Sequence, residues 1–226
     1  MRFYKFFISI FLIFTMCFYI TTPVFSEETT YVWSPNNNSL NDSTNDNSSQ
    51  VKETNSEVDE SNSLSLESGS AILIEQTTGQ VLYSHNAHEQ LRPASVTKVM
   101  SILLIMEALD SNKISLTDSV PCSENAASMG GSQIWLDPRE TLTVDEMLKA
   151  ICVNSANDCV VAMSEFIAGS EEAFVQLMND KAKELGMNDT CFKNCHGLDE
   201  DGHVTSAYDI SLMSRELLNN HPSVTN

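Results

Sequence analysis

Apolar residues fall along this chain in three regimes. Phe6 to Ile20 is almost wholly apolar, residues 27–68 scatter their apolar positions without a period, and from Gly69 onward ordered patterns begin. Ser70–Glu75 and Gln80–Ser84 are short apolar runs around Thr77-Thr78-Gly79, which predicts an antiparallel hairpin. Ser95 to Leu109 is apolar almost all round, as expected of a central, buried helix. Thr143-Val-Asp-Glu146 reads as a capping box opening a helix to about Val153. Further helices are predicted over Asp158–Ala168, ended by Gly169, and over Glu171–Leu185, stopped by Gly186. Ser206-x-x-Asp209 caps a last helix ending near Asn219-Asn220, and no internal repeat is present. Two strands followed by helices make a marginal sheet on their own. The order asks for further strands, so residues 69–226 read as the front part of a larger domain.

Charge narrows the partners. The 226 residues hold 12 Lys and Arg against 31 Asp and Glu, a formal net charge of −19. Nucleic acid is excluded as a partner, because phosphate binding needs a basic surface. A small substrate held by a few local charges stays open. At the N-terminus Arg2 and Lys5 precede the apolar stretch, and Val24-Phe25-Ser26 follows Pro23. Residues 1–26 therefore read as a signal peptide cut after Ser26, with an uncleaved membrane anchor as the alternative. Either way the remainder is expected outside the cytoplasm. Residues 27–68, rich in Asn, Ser and acidic residues, are expected to be a disordered spacer. Five cysteines follow the signal, an odd number. They fit small buried hydrophobes. A Cys191–Cys195 bridge stays open, and Cys191-x-x-x-Cys195-His196 lacks the second ligand pair of a metal site.

Ser95-Val96-Thr97-Lys98 is the sharpest local signal. At i and i+3 on a helix the Lys98 amine would sit beside the Ser95 hydroxyl. Unpaired N–H groups at the helix start favour developing negative charge. Apolar surroundings would depress the lysine pKa and make it a usable base. The motif alone is weak: Ser49-Gln50-Val51-Lys52 matches it inside the spacer. Only Ser95 opens a buried helix, where an unpaired lysine is costly unless it reaches outward or has work to do. Ser155-Ala156-Asn157 forms a polar break between two apolar helices. Its plain reading is a helix–helix turn, but two polar side chains on a tight turn can also aim at one point.

Together Pro93-Ala94-Ser95-Val96-Thr97-Lys98 and Ser155-Ala156-Asn157-Asp158 resemble the penicillin-recognising serine enzymes. Over about residues 68–224 the chain is similar to the D-alanyl-D-alanine carboxypeptidases, the low-molecular-mass penicillin-binding proteins. Thr78-Gly79-Gln80-Val81-Leu82, Thr141–Leu148, His196-Gly-Leu-Asp199 and Gly202-His203-x-x-Ser206-Ala207-Tyr208-Asp209 extend the likeness. The resemblance implies an α+β fold, an antiparallel sheet with a helical lobe, whose late strands this chain lacks. It implies Ser95 as acylated nucleophile, Lys98 as general base and Ser155 as proton relay. Asn157 would hold the substrate carbonyl and orient Lys98, and one oxyanion N–H would come from Ser95. His196 and His203 are left as structural. The implied substrate is a peptidoglycan stem peptide ending in D-Ala-D-Ala, with β-lactams as inhibitors and no metal or organic cofactor. The family's Lys-Thr-Gly does not occur in these 226 residues, so this chain by itself is expected to be inactive. A serine β-lactamase would need a deacylating Glu-x-x-Leu-Asn loop; Glu216-Leu-Leu-Asn219 lacks that pattern. A truncated, non-catalytic cell-wall binder is the remaining alternative.

Overall fold

A computed structural model describes Leu64 and residues 66–225. The predicted signal at 1–26 and nearly all of the predicted spacer at 27–68 lie outside the described residues. The described part is α+β. Strands β1 (Ala71–Ile74) and β2 (Val81–His85) pair antiparallel, with Ala71 opposite His85 and Ile72 opposite Ser84. Their turn is folded by Glu75, whose carboxylate accepts the N–H groups of Thr77 and Thr78. Gly79 closes it at φ +76°, a conformation that costs glycine nothing.

The predicted helix from Ser95 begins differently. Residues Ala94–Thr97 form a 3-10 turn, and the α-helix α1 runs Lys98–Asp110. Val96 N–H bonds back to the Pro93 carbonyl and Lys98 N–H to that of Ser95, tightening this turn. Side chains at i and i+3 eclipse in a 3-10 turn, so the Ser95–Lys98 juxtaposition survives the correction. α1 is central as expected, with Met100, Leu103 and Ile105 fully buried.

A second small sheet escaped the sequence pattern. Strands β3 (Ser119–Pro121) and β4 (Thr141–Thr143) pair antiparallel, with Val120 opposite Leu142. Three residues are too few for alternation to show. Between them lies a short helix α2 (Glu124–Ala127), capped by the Ser123 side chain. Helix α3 (Val144–Asn154) opens on the predicted box, Thr143 and Glu146 capping each other reciprocally. Helices α4 (Asn157–Ala168), α5 (Glu171–Glu184) and α6 (Ala207–Asn220) follow, with Ser170 and Ser206 as the caps of the last two. Gly169 ends α4 in the left-handed conformation. Glu216–Asn219 lies inside α6.

α1 packs against α4, α5 and α6, around Met147, Met163, Phe174, Met178 and Met213. Arg215 of α6 ties the hairpin down by donating to the carbonyls of Gln76 and Thr77, at 2.8 Å each. The five described cysteines are all free thiols, so Cys191 and Cys195 are not bridged. Cys122, Cys159 and Cys195 are buried, and burial raises the pKa of each.

Candidate active site

Ser95 and Lys98 meet where the 3-10 turn passes into α1. Lys98 Nζ lies 3.4 Å from Ser95 Oγ and donates to the His196 carbonyl at 2.7 Å. The serine is exposed, while the lysine is only 3% exposed. Burial lowers the Lys98 pKa from 10.5 to about 8. At neutral pH about one lysine in ten is then a free amine, against about one in three thousand for an ordinary lysine. An accessible hydroxyl beside a desolvated amine is an arrangement for nucleophilic attack.

The loop of residues 194–199 is built against this pair. Gly197, at φ +93°, approaches so closely that a Cβ there would lie 1.9 Å from the Ala94 carbonyl oxygen and 3.1 Å from Ser95 N. Ser101 Oγ, one turn along α1, holds the Cys195 carbonyl at 2.7 Å. Asn194 Oδ1 accepts the Gly197 N–H at 2.7 Å. Leu198 N–H donates to His196 Nδ1, which leaves the ring proton on Nε2. Burial lowers the His196 pKa, so the ring is neutral. His203 is buried too: its Nδ1 accepts the Lys193 N–H and its Nε2 meets Thr97 Oγ1 at 2.7 Å. It tethers the middle of the Ser-x-x-Lys turn.

Ser155 and Asn157 stand on the turn from α3 to α4. Ser155 is half-buried and adopts φ 55°, left-handed for a non-glycine residue. Asn157 is buried at the start of α4, where Nδ2 donates to the Gly130 carbonyl and the backbone N–H to that of Ser132, both at 2.7 Å. Asn157 is expected to orient Lys98, but in the structure Lys98 donates to the His196 carbonyl and no hydrogen bond joins it to Asn157. Asn157 is turned instead to the loop of residues 130–136, which it fastens as a wall. Gly131 makes room, since a Cβ there would lie 2.9 Å from Asn157 Nδ2 and 3.5 Å from Leu198 Cδ2.

Asp158 secures the same wall. Its fully buried carboxylate accepts the N–H groups of Ile134 and Leu136 at 3.1 Å and of Cys159 at 2.9 Å. In the sequence Asp158 stands only as part of a motif, and His196 reads as structural. A buried acid following Ser-x-Asn was the available signal for the first. A backbone carbonyl has no letter, so the role of residue 196 was not readable. Among the described residues no group of three or more His, Cys, Asp or Glu could hold a metal ion.

A serine beside a buried lysine at the head of a central helix, in an α+β frame with a polar turn between two further helices, places the chain in the penicillin-recognising serine fold. More narrowly, the chain belongs to the D-alanyl-D-alanine carboxypeptidase family, whose model matches residues 53–226. It is 61% identical over 155 residues to the D-alanyl-D-alanine carboxypeptidase DacF of Bacillus subtilis, covering 69% of this chain and 40% of that protein. It is 37% identical over 164 residues to DacC of Escherichia coli, covering 70% and 41%. The structure is similar to the carboxypeptidase DacD of Francisella tularensis, with a TM-score of 0.70 and 32% identity over 71% of this chain and 39% of the other. Penicillin-binding protein D2 of Listeria monocytogenes, solved in its ampicillin-bound form, matches with a TM-score of 0.63 and 29% identity over 71% and 65%. The chain thus spans about 40% of the length of the curated relatives it matches.

Proposed function

We propose that the whole protein is a serine-type D-Ala-D-Ala carboxypeptidase that removes the terminal D-alanine from peptidoglycan stem peptides. The observation that carries this reading is the exposed Ser95 hydroxyl 3.4 Å from the buried Lys98 amine. Free Lys98 takes the Ser95 proton as Oγ attacks the carbonyl between the two D-alanines. The tetrahedral oxyanion forms against the Ser95 N–H, at the start of the helix. The C–N bond then breaks, the leaving amine takes a proton through Ser155, and the peptide remains esterified to Ser95. Water hydrolyses that ester and regenerates the hydroxyl. Asn157 and the wall it fastens hold the peptide alongside.

The same chemistry opens a β-lactam ring, so penicillins are inhibitors that stay on Ser95. The basic and apolar pattern of residues 1–26 supports export, with activity outside the cytoplasm at the cell envelope. Membrane association belongs to the same proposal, through the N-terminal segment. The test is labelled penicillin with peptide mapping on the whole protein: the label is expected on Ser95. A label that survives Ser95→Ala would refute the assignment.

A further inference from the structure

Lys98 is held by a carbonyl, and that carbonyl must itself be held. The Cys195–His196 peptide sits between α1 and the first turn of α5. From the α1 side Ser101 Oγ binds the Cys195 carbonyl. From the α5 side comes Glu171, the first residue of that helix, with its side chain only 18% exposed. Its Oε1 accepts the Cys195 N–H at 3.3 Å and the Cys195 thiol at 3.3 Å. His196 Nε2, which carries the ring proton, lies 3.4 Å from the same oxygen. Each contact is long, but all three converge on one atom. The two bonds hold Cys195, with the His196 ring beside them, in the peptide whose next carbonyl receives Lys98 Nζ at 2.7 Å.

We propose that Glu171 is a positioning residue for the reaction: through Cys195 and His196 it aims the His196 carbonyl, and so holds the Lys98 amine beside Ser95 Oγ. This rests on the acyl-transfer reading of Ser95 and Lys98, and adds to it a residue outside the family motifs. Glu171 does not touch Lys98; it acts through the loop. What it supplies is an acceptor at a fixed reach, not a charge. The titratable groups around the Cys195–His196 peptide are Lys98 from α1, Glu171 from α5, Cys195 and His196 themselves, and Glu200 and His203 from the residues that follow the loop. His196 is neutral and Cys195 is a thiol, so Lys98 is the group whose titration reports the geometry.

The contrast that tests this is Glu171→Asp against Glu171→Gln in the whole protein. Asp keeps the charge and the preference of a helix start for acids, but withdraws the oxygen by one methylene. Gln keeps the reach and an acceptor oxygen without the charge. Two measurements are made: the first-order acylation constant with labelled penicillin across pH, and the titration of Lys98 by 13C NMR without substrate. In Glu171→Asp we expect acylation to fall about tenfold to a hundredfold, the order expected for misplacement of about 1 Å. Loosening the loop admits water, so the Lys98 midpoint should move upward in both measurements. Glu171→Gln should stay within about threefold, with the midpoint unmoved, because its acceptor oxygen retains the reach. An Asp variant with the native rate and midpoint overturns the proposal, as does a folded Gln variant as slow as Asp. Failure of the wild-type protein to take penicillin would instead refute the acyl-transfer reading; the NMR midpoints would still decide whether Glu171 positions Lys98.

Discussion

Gly197→Ala is the most searching single change at this site. The perturbation is one methyl group, and its size follows from the backbone. An alanine Cβ would lie 1.9 Å from the Ala94 oxygen and 2.4 Å from the Ala94 carbonyl carbon. Even a close C···O approach is about 3.3 Å, so the loop and the 3-10 turn must separate by more than about 1 Å. Both atoms are backbone, so no side chain can swing aside. At φ +93° the new residue also carries about 1–2 kcal/mol of local strain. Overpacking adds about 1–3 kcal/mol. The sum, about 2–5 kcal/mol, is less than the usual 5–15 kcal/mol of a stable protein, so the variant should fold with a lowered melting temperature. The separation moves Ser95 N–H from one side and the His196 carbonyl from the other. Misplacement of about 1 Å costs about a hundredfold in rate. The assay is the rate of Ser95 labelling by a fluorescent penicillin, with a thermal melt of the same sample. A Gly197→Ala protein that labels within threefold of wild type and melts at the same temperature would refute this packing argument.

Lys98→Arg should abolish acylation although it keeps the positive charge, because a guanidinium gives up no proton at accessible pH; single-turnover labelling checks it. Acylation should rise about tenfold per pH unit up to about pH 8 and then level, following the Lys98 amine. Stability should carry the same signature: between pH 8 and 10.5 the unfolded chain binds a proton that the native state has released, so stability rises with pH there. Denaturant melts of wild type and Lys98→Met should show a difference that shifts in wild type's favour across that window. Asp158→Asn places an amide donor where up to three backbone N–H groups need an acceptor, at a cost of about 1–3 kcal/mol. Hydrogen exchange should show Ile134 and Leu136 losing protection first.

The elements that the sequence made legible are those with a local cause. The Thr143–Glu146 box, the Gly169 stop and the Ser206 cap each state a boundary in side chains, and the helices keep those boundaries within a residue or so. The 3-10 turn at Ala94–Thr97 was not legible, because α and 3-10 helices share residue preferences and differ in which carbonyl each N–H meets. The β3–β4 pair joins residues some twenty apart through three-residue strands, and nothing local announces it. Ser95 and Lys98 were legible because three residues of spacing fix their contact. Gly197 against Ala94, Asn157 against Gly130 and Glu171 against Cys195 are long-range contacts through backbone atoms, which residue types do not encode.

Backbone strain is concentrated around the candidate site. Among the described residues, five non-glycine residues have positive φ: Asn86, Ala94, Asn112, Trp135 and Ser155. Asn86 and Asn112 need no special account, since asparagine tolerates this conformation in turns. The other three flank the site. Ala94, at φ +46°, immediately precedes Ser95. Ser155, at φ 55°, begins the Ser-x-Asn turn. Trp135, at φ +66°, lies between the two N–H groups that Asp158 grips. Each costs about 1–3 kcal/mol and persists only where its surroundings over-determine it. Those surroundings can be named: the Gly197 backbone and the His203–Thr97 bond for Ala94, and the Asp158 carboxylate for Trp135. Stability that could have relaxed these bends holds them fixed instead. Because the turn carrying Ser95 and the wall that Asp158 secures are already ordered, the proposed acyl transfer would leave little ordering for its transition state to supply.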